Sequence, residues 1–167
     1  AQPVLEGGVL RGTSSIMRLD AWNYEDAVAA KDNVLHLTWP QARKVPDEKR
    51  NKEFEEARLR NVGEIKSLFA RAKSYQPKSG IKDFKLEAIA PVFTGEKILF
   101  VDVATPNDVL EVIKFSKDNN VKKTVLIGDS RLIPVLDEIK KSGFPLVVTN
   151  PHSLPPTSSS SPRIQYE

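Results

Sequence analysis

The stretch KILFVDVATPNDVLEVIKFSKDNNVKKTVLIGDSRLIPVLDEIKKSGFPLVVTN, Lys97 to Asn150, decides the fold. It holds three short apolar runs: Ile98-Leu99-Phe100-Val101, Thr124-Val125-Leu126-Ile127 and Pro145-Leu146-Val147-Val148. Runs this short, rich in β-branched residues and bounded by turn residues, read as strands buried on both faces. Two segments with helical spacing separate them. The first opens at Thr105, an N-cap followed by Pro106 and Asp108. It turns Val109, Val112, Ile113 and Phe115 or Ser116 inward and stops at Asn119-Asn120. The second is capped by Ser130, turns Ile133, Leu136 and Ile139 inward, and stops at Gly143. A β-α-β-α-β order winds right-handed into a parallel sheet, and such sheets bind ligands at the carboxyl ends of their strands. Those ends read Asp102-Val103-Ala104-Thr105, Gly128-Asp129-Ser130 and Thr149-Asn150-Pro151-His152.

Upstream, apolar residues recur at three- and four-residue steps from about Asp47 to Tyr75: Phe54, Ala57, Val62, Ile65, Leu68, Phe69 and Ala72, with Arg58 and Asn61 in the same phase. This predicts one long amphipathic helix. Its outer face carries charges of both signs, so it reads as a helix covering a core and not as a membrane or partner helix. Lys82 to Phe93 is a shorter helical segment that Pro91 must kink or cut. Nearer the N-terminus, Ile16 to Asp20 and Val34 to Trp39 alternate like strands, with Asp32-Asn33 as a turn signal before the second. They predict an antiparallel hairpin ahead of the parallel unit. Gly7-Gly8 and Gly12 read as turn chemistry around Val9-Leu10.

The fold class is therefore α/β. A parallel β-α-β-α-β unit, part of a TIM-like barrel or a small three-layer sandwich, follows a short hairpin and a long amphipathic helix. Residues 1–155 form one domain, with the hairpin region in 1–46 and the helix plus β/α unit in 47–155. Residues 156–167, rich in Ser and Pro, form a tail that cannot bury apolar area.

The 167 residues are 40% hydrophobic and 28% charged, the balance of an ordinary globular chain. The net charge of +3 is small and its signs are interspersed, against a nucleic-acid footprint. There is no cysteine, so no disulfide, thiolate nucleophile or Cys-based zinc site arises. No apolar run approaches the roughly 20 residues of a membrane span. The opening Ala-Gln-Pro-Val is read as a point inside a longer protein.

The strand ends supply the candidate ligand-binding residues: Asp102, Thr105, Asp129, Asn150 and His152. A carboxylate at a buried strand end beside a helix N-terminus can bind a metal, orient water or hold a ligand hydroxyl. It can equally accept backbone N–H bonds from the following turn. Of the two histidines, His36 in its alternating strand reads as half-buried and structural, and His152 as the functional candidate. No Gly-rich phosphate loop and no His-x-His, His-Glu-x-x-His or Gly-x-Ser-x-Gly motif is present. The first run resembles the opening of a receiver domain. However, Val103 follows where that family pairs a second acid, and the third strand ends Thr149-Asn150 where its phosphorylated Asp belongs.

Three segments, Gly7 to Asp26, His36 to Pro40 and Leu86 through Asp129, resemble in order the middle of an imidazolonepropionase-like amidohydrolase. The element Leu19-Asp20-Ala21-Trp22-Asn23-Tyr24-Glu25-Asp26 is the most specific part. The resemblance implies the central portion of a metal-dependent (β/α)₈ barrel that hydrolyses amide bonds, often cyclic ones, with zinc or iron. A complete barrel needs about 250 residues, so the His-x-His of the first strand and the metal-binding Asp of the last would lie outside this chain. Asp102 falls where the family has a metal-ligand His, and Gly128-Asp129 also lacks one. The implication is an inactive fragment with no catalytic residue, metal ligand or cofactor of its own. A small non-catalytic α/β binding or interaction domain, or one half of a split enzyme, are the alternatives. Its partner would be a second copy or the remainder of its own barrel. Relatives sharing the Trp-Asn-Tyr element resemble exported bacterial proteins, which implies a periplasmic setting.

Overall fold

The computed structural model describes residues 9–42, 46–76 and 83–149. Strand β1 (Leu10–Met17) runs antiparallel to β2 (Val28–Thr38), with the short helix α1 (Tyr24–Ala27) between them. Helices α2 (Glu48–Lys73), α3 (Phe84–Ile89) and α4 (Pro91–Thr94) lead into β3 (Ile98–Asp102). Then follow α5 (Pro106–Asp118), β4 (Thr124–Gly128), a 3-10 turn over Ser130–Val135, α6 (Leu136–Ser142) and β5 (Leu146–Val148). The sheet order is β1-β2-β3-β4-β5, and every pair after the first is parallel.

The three parallel strands expected from Lys97 onward are neighbours, and β2 joins them as a fourth. Its Val34–Thr38 half pairs β3 residue for residue, from Val34 with Ile98 to Thr38 with Asp102. The hairpin is thus the first β-α-β unit's leading strand, not a separate element. Because successive right-handed crossovers step in one direction, their helices lie on one face of the sheet. The buried core agrees. Leu35, Leu37, Leu99, Val101 and Leu126 join Val62, Ile65 and Phe69 of α2 and Val109, Val112 and Phe115 of α5. The intervening positions, His36, Phe100, Asp102 and Ile127, lie outside that cluster. A two-layer, singly wound sheet of this kind has the layering of a barrel segment and excludes the three-layer alternative among the described residues.

Local chemistry sets the element ends. Asp47 caps α2, accepting from the N–H groups of Lys49 (2.9 Å) and Arg50 (3.3 Å). Pro91 splits the expected 82–93 helix into α3 and α4. Thr105 and Asp108 form a reciprocal capping box on α5, and Gly143 ends α6 at φ 76°. An aromatic chain ties the layers: Trp39 to Phe115 at 5.3 Å, Phe115 to Phe69 at 5.0 Å, and Phe69 to Phe93 at 6.0 Å.

Four expectations are corrected. The cap after β4 is Asp129, whose carboxylate accepts from the Arg131 N–H at 3.0 Å, not Ser130. In the following segment Leu132, Val135 and Ile139 are buried while Ile133 and Leu136 are exposed. Pro134 lies inside a 3-10 turn of three residues per turn, which moves the inward face off the 3.6-residue phase. Gly12 lies within β1, at φ 109° where the ladder bulges, instead of in a turn. Asp32-Asn33 likewise lies inside β2: Asp32 takes φ 48°, and the register jumps from Ser14 opposite Val34 to Ile16 opposite Ala30.

Candidate functional site

On the helix-free face, the carboxyl end of β3 presents Asp102 between Thr38 of β2 and Ile127 of β4. Its side chain does not accept from the turn that follows. Arg11 reaches across from β1 instead, its Nη1 standing 3.6 Å from Asp102 Oδ2. Deeper on the same face, His36 Nε2 is 2.7 Å from Ser14 Oγ, with donor and acceptor set by the imidazole tautomer. The imidazole also meets the Phe100 ring edge-on at 5.6 Å. His36 is buried, as the sequence implied in part. Arg11 Nε and Thr38 Oγ1 are buried without a hydrogen-bond partner among the described residues.

Burial dominates the electrostatics here. Desolvation lowers the His36 pKa and the Arg11 charge adds to this, while the Asp102 charge opposes it. Desolvation likewise raises the Asp102 pKa, against the pull of Arg11 and His36. The result is a neutral, hydrogen-bonded imidazole beside a carboxylate whose counter-ion is an internal guanidinium. Such a cluster can orient a small polar ligand. It is poorly suited to hold a cation, because Arg11 already stands where a second positive charge would have to approach Asp102.

The other candidates are used locally. The Thr105 hydroxyl accepts from the Asp108 N–H at 3.2 Å, and the Thr105 N–H donates to Asp108 Oδ2 at 3.0 Å. Asp129 takes Arg131 in a forked pair, with Nε at 2.9 and 3.1 Å and Nη2 at 2.8 Å, and the Arg131 hydrogen bonds lower its pKa. Asp102 and Asp129 therefore each have their own arginine. Asn150 and His152 lie outside the described residues.

A second charged cluster, on the helical side of the strand ends, was not singled out as a site. Arg58 of α2, only 8% exposed, donates through Nη2 to both Glu111 oxygens at 2.6 Å and through Nε to the Pro40 carbonyl at 3.1 Å. Trp39 Nε1 donates to Glu111 Oε2 at 2.9 Å. Asp108 is fully buried, and its Oδ1 stands 3.9 Å from Arg58 Nη2. Burial alone would raise the Glu111 pKa, but the Arg58 and Trp39 hydrogen bonds and the Arg58 charge bring it below its ordinary value. The signal for this cluster was an arginine in the apolar phase of α2. It lines a groove of about 250 Å³ with Leu59, Lys66 and Lys114.

The zinc or iron implied by the resemblance does not fit the residues present. Among the described residues no three His, Cys, Asp or Glu side chains converge as a metal would require. The strand-end donors are an arginine-paired carboxylate and a serine-bonded imidazole.

No protein-family model matches the chain, and no curated protein does. Among solved structures, the chain is similar to an amidohydrolase from Thermotoga maritima MSB8, with a TM-score of 0.64 and 15% identity. The match covers 84% of this chain and 39% of that one. The chain thus spans well under half the length of that enzyme, and what the two share is the fold of a segment of it.

Proposed function

We propose that this chain is the central portion of an amidohydrolase-type barrel, of the imidazolonepropionase-like branch, and that by itself it hydrolyses nothing. The activity of the whole would be metal-dependent cleavage of C–N bonds in amides or cyclic amides. The observation that carries the reading is the singly wound sheet, superposable over 84% of the chain on 39% of an amidohydrolase. The element Leu19 to Asp26 supports the branch. Inactivity in isolation is supported by the Arg11–Asp102 pair at the strand end where the resemblance calls for a metal ligand. A metal hydrolase must lower the pKa of its bound water to about 7, which takes several ligands around one open position. The same pair favours a second reading, a non-catalytic domain that binds a small polar ligand at Arg11, Thr38 and Asp102.

The test is elemental analysis of protein purified without chelators, alongside assays on linear and cyclic amides. Metal well below one equivalent and no turnover are expected, also for Asp102→His. About one equivalent of zinc or iron, lost on Asp102→Ala, would overturn the inactive-segment reading and favour a split enzyme.

A further inference from the structure

Only the Val34–Thr38 half of β2 pairs with β3. Its other half, with the end of β1, leaves the sheet as a two-stranded ribbon: Ile16 opposite Ala30, Met17 opposite Val28, and the Arg18 N–H donating to the Ala27 carbonyl at 2.7 Å. The ribbon projects from the amino ends of the parallel strands, opposite the Asp102 cluster. No residue from 16 to 33 is buried. Its large apolar side chains face solvent: Trp22 is 99% exposed, Leu19 94%, Tyr24 70%, Ile16 44% and Met17 43%. At about 200 Å² per large side chain, those exposures amount to roughly 700 Å². Summed over the arm, that is close to the ~800 Å² each partner contributes to a standard interface.

We propose that two copies of this chain associate through this arm, with β1 pairing antiparallel to β1 of the second copy across a two-fold axis. Three observations favour a second copy as the occupant. The outer edge of β1 carries no other strand among the described residues, and an antiparallel edge is self-complementary under a two-fold axis. Exposed edges are normally guarded by Lys, Pro, inward charges or bulges. Leu10–Met17 has no Lys or Pro; its guards are Arg11, which is engaged with Asp102, and the register shifts along the strand. Finally, a two-stranded ribbon alone is marginal in water, so its cover must be permanent, and a second copy is always at hand. The pairing joins the two sheets into one and covers apolar side chains of the arm, Trp22 among them. It does not depend on the barrel reading, since the apolar side chains it covers, between residues 16 and 24, lie at the opposite end of the strands from the Asp102 cluster.

The experiment is sedimentation of the full chain from low micromolar to near-millimolar concentration, with acrylamide quenching of tryptophan at each step. A species of twice the 18.6 kDa chain mass is expected. The chain has two tryptophans, of which Trp39 is only 1% exposed, so the quenchable signal reports Trp22 and should fall as the dimer forms. Leu19→Asp with Trp22→Asp should give a monomer of unchanged circular dichroism. In a second measurement, β1 amides slow to exchange in the wild-type dimer should exchange faster in that variant. A wild-type chain monomeric throughout, with Trp22 freely quenched, overturns the proposal. So does a dimer in which Trp22 stays quenchable, or one that survives the double substitution.

Discussion

His36 and Asp102 share one desolvated surface, and their titrations act on stability with opposite signs. The folded pKa of His36 lies below its ordinary 6.5, so between the two values the unfolded chain holds more protons. Stability therefore rises with pH across that window and falls as pH drops below about 6.5. Asp102 is raised above 3.8, so the folded chain holds more protons in its window and stability there falls as pH rises. Glu111, lowered below 4.5, gives stability that is complete above 4.5 and lost only as pH falls through its depressed value. Between about pH 7.5 and 5.5 the difference between wild type and His36→Gln isolates the imidazole. The wild-type urea midpoint should fall more over that interval than the variant's, and equal pH responses would refute the assignment. Asp102 was legible from its place at the end of an apolar strand. Its partner was not, because Arg11 lies far upstream in the chain and one strand, β2, stands between them, and no periodicity encodes such a pair. Ser14 was hidden likewise, its link to His36 being set by the hairpin register.

Two arginines of similar chemistry behave as different elements of the fold. Both have pKa values raised first by a carboxylate hydrogen bond, Glu111 for Arg58 and Asp129 for Arg131. Arg131 is 63% exposed at its side chain, and water screens its pair; Arg58, at 8%, joins α2, α5 and the end of β2. Arg58→Met should destabilise by about 3 kcal/mol, because it strands the buried Asp108 and half-buried Glu111 carboxylates. Arg131→Met should stay within about 0.5 kcal/mol. Paired urea titrations decide it, and equal costs would mean the Arg58 network contributes no more than a surface pair. A similar contrast governs the close approach of β4 to the 3-10 turn. A Cβ on Gly128 would clash with Leu132 Cδ1 and stand 3.3 Å from the Val103 carbonyl oxygen, so Gly128→Ala should destabilise by about 1–3 kcal/mol, read as a lower urea midpoint. A stability matching wild type would mean that Leu132 moves aside freely. The helix from Asp47, the Thr105 cap and the Gly143 stop were legible because each rests on contacts within four residues. The inward face after β4 was not, since the shift from α to 3-10 winding around Pro134 exchanges Ile133 and Leu136 for Leu132 and Val135.

At the scale of the whole molecule, stability should be graded from the middle of the sheet outward. β3 and β4 are each hydrogen-bonded on both sides and face α2 and α5 through fully buried Leu99, Val101 and Leu126. β5 is a three-residue edge strand with Val147 and Val148 half exposed, and the arm from 16 to 33 has no buried residue. This gradient follows from β2 serving two structures at once. Its Val34–Leu37 run is buried at four successive positions, which reading it as a half-solvated hairpin strand had missed. Amides whose hydrogen bonds break only on global unfolding exchange at the rate set by total stability, whereas fraying elements exchange through local opening. At micromolar concentration the Leu99 N–H, bonded to the Lys123 carbonyl, and the Leu126 N–H, bonded to the Pro145 carbonyl, should exchange slowest. The Arg18 N–H, bonded to the Ala27 carbonyl toward the tip of the arm, should exchange far faster despite its short 2.7 Å contact. Raising the concentration should slow Arg18, because association orders the arm, and should slow Leu99 as well, because a dimer of folded chains adds to the total stability that governs it. If Arg18 is already as protected as Leu99 at micromolar concentration, the arm belongs to the cooperative core, and exposure alone is no guide to local stability in this fold.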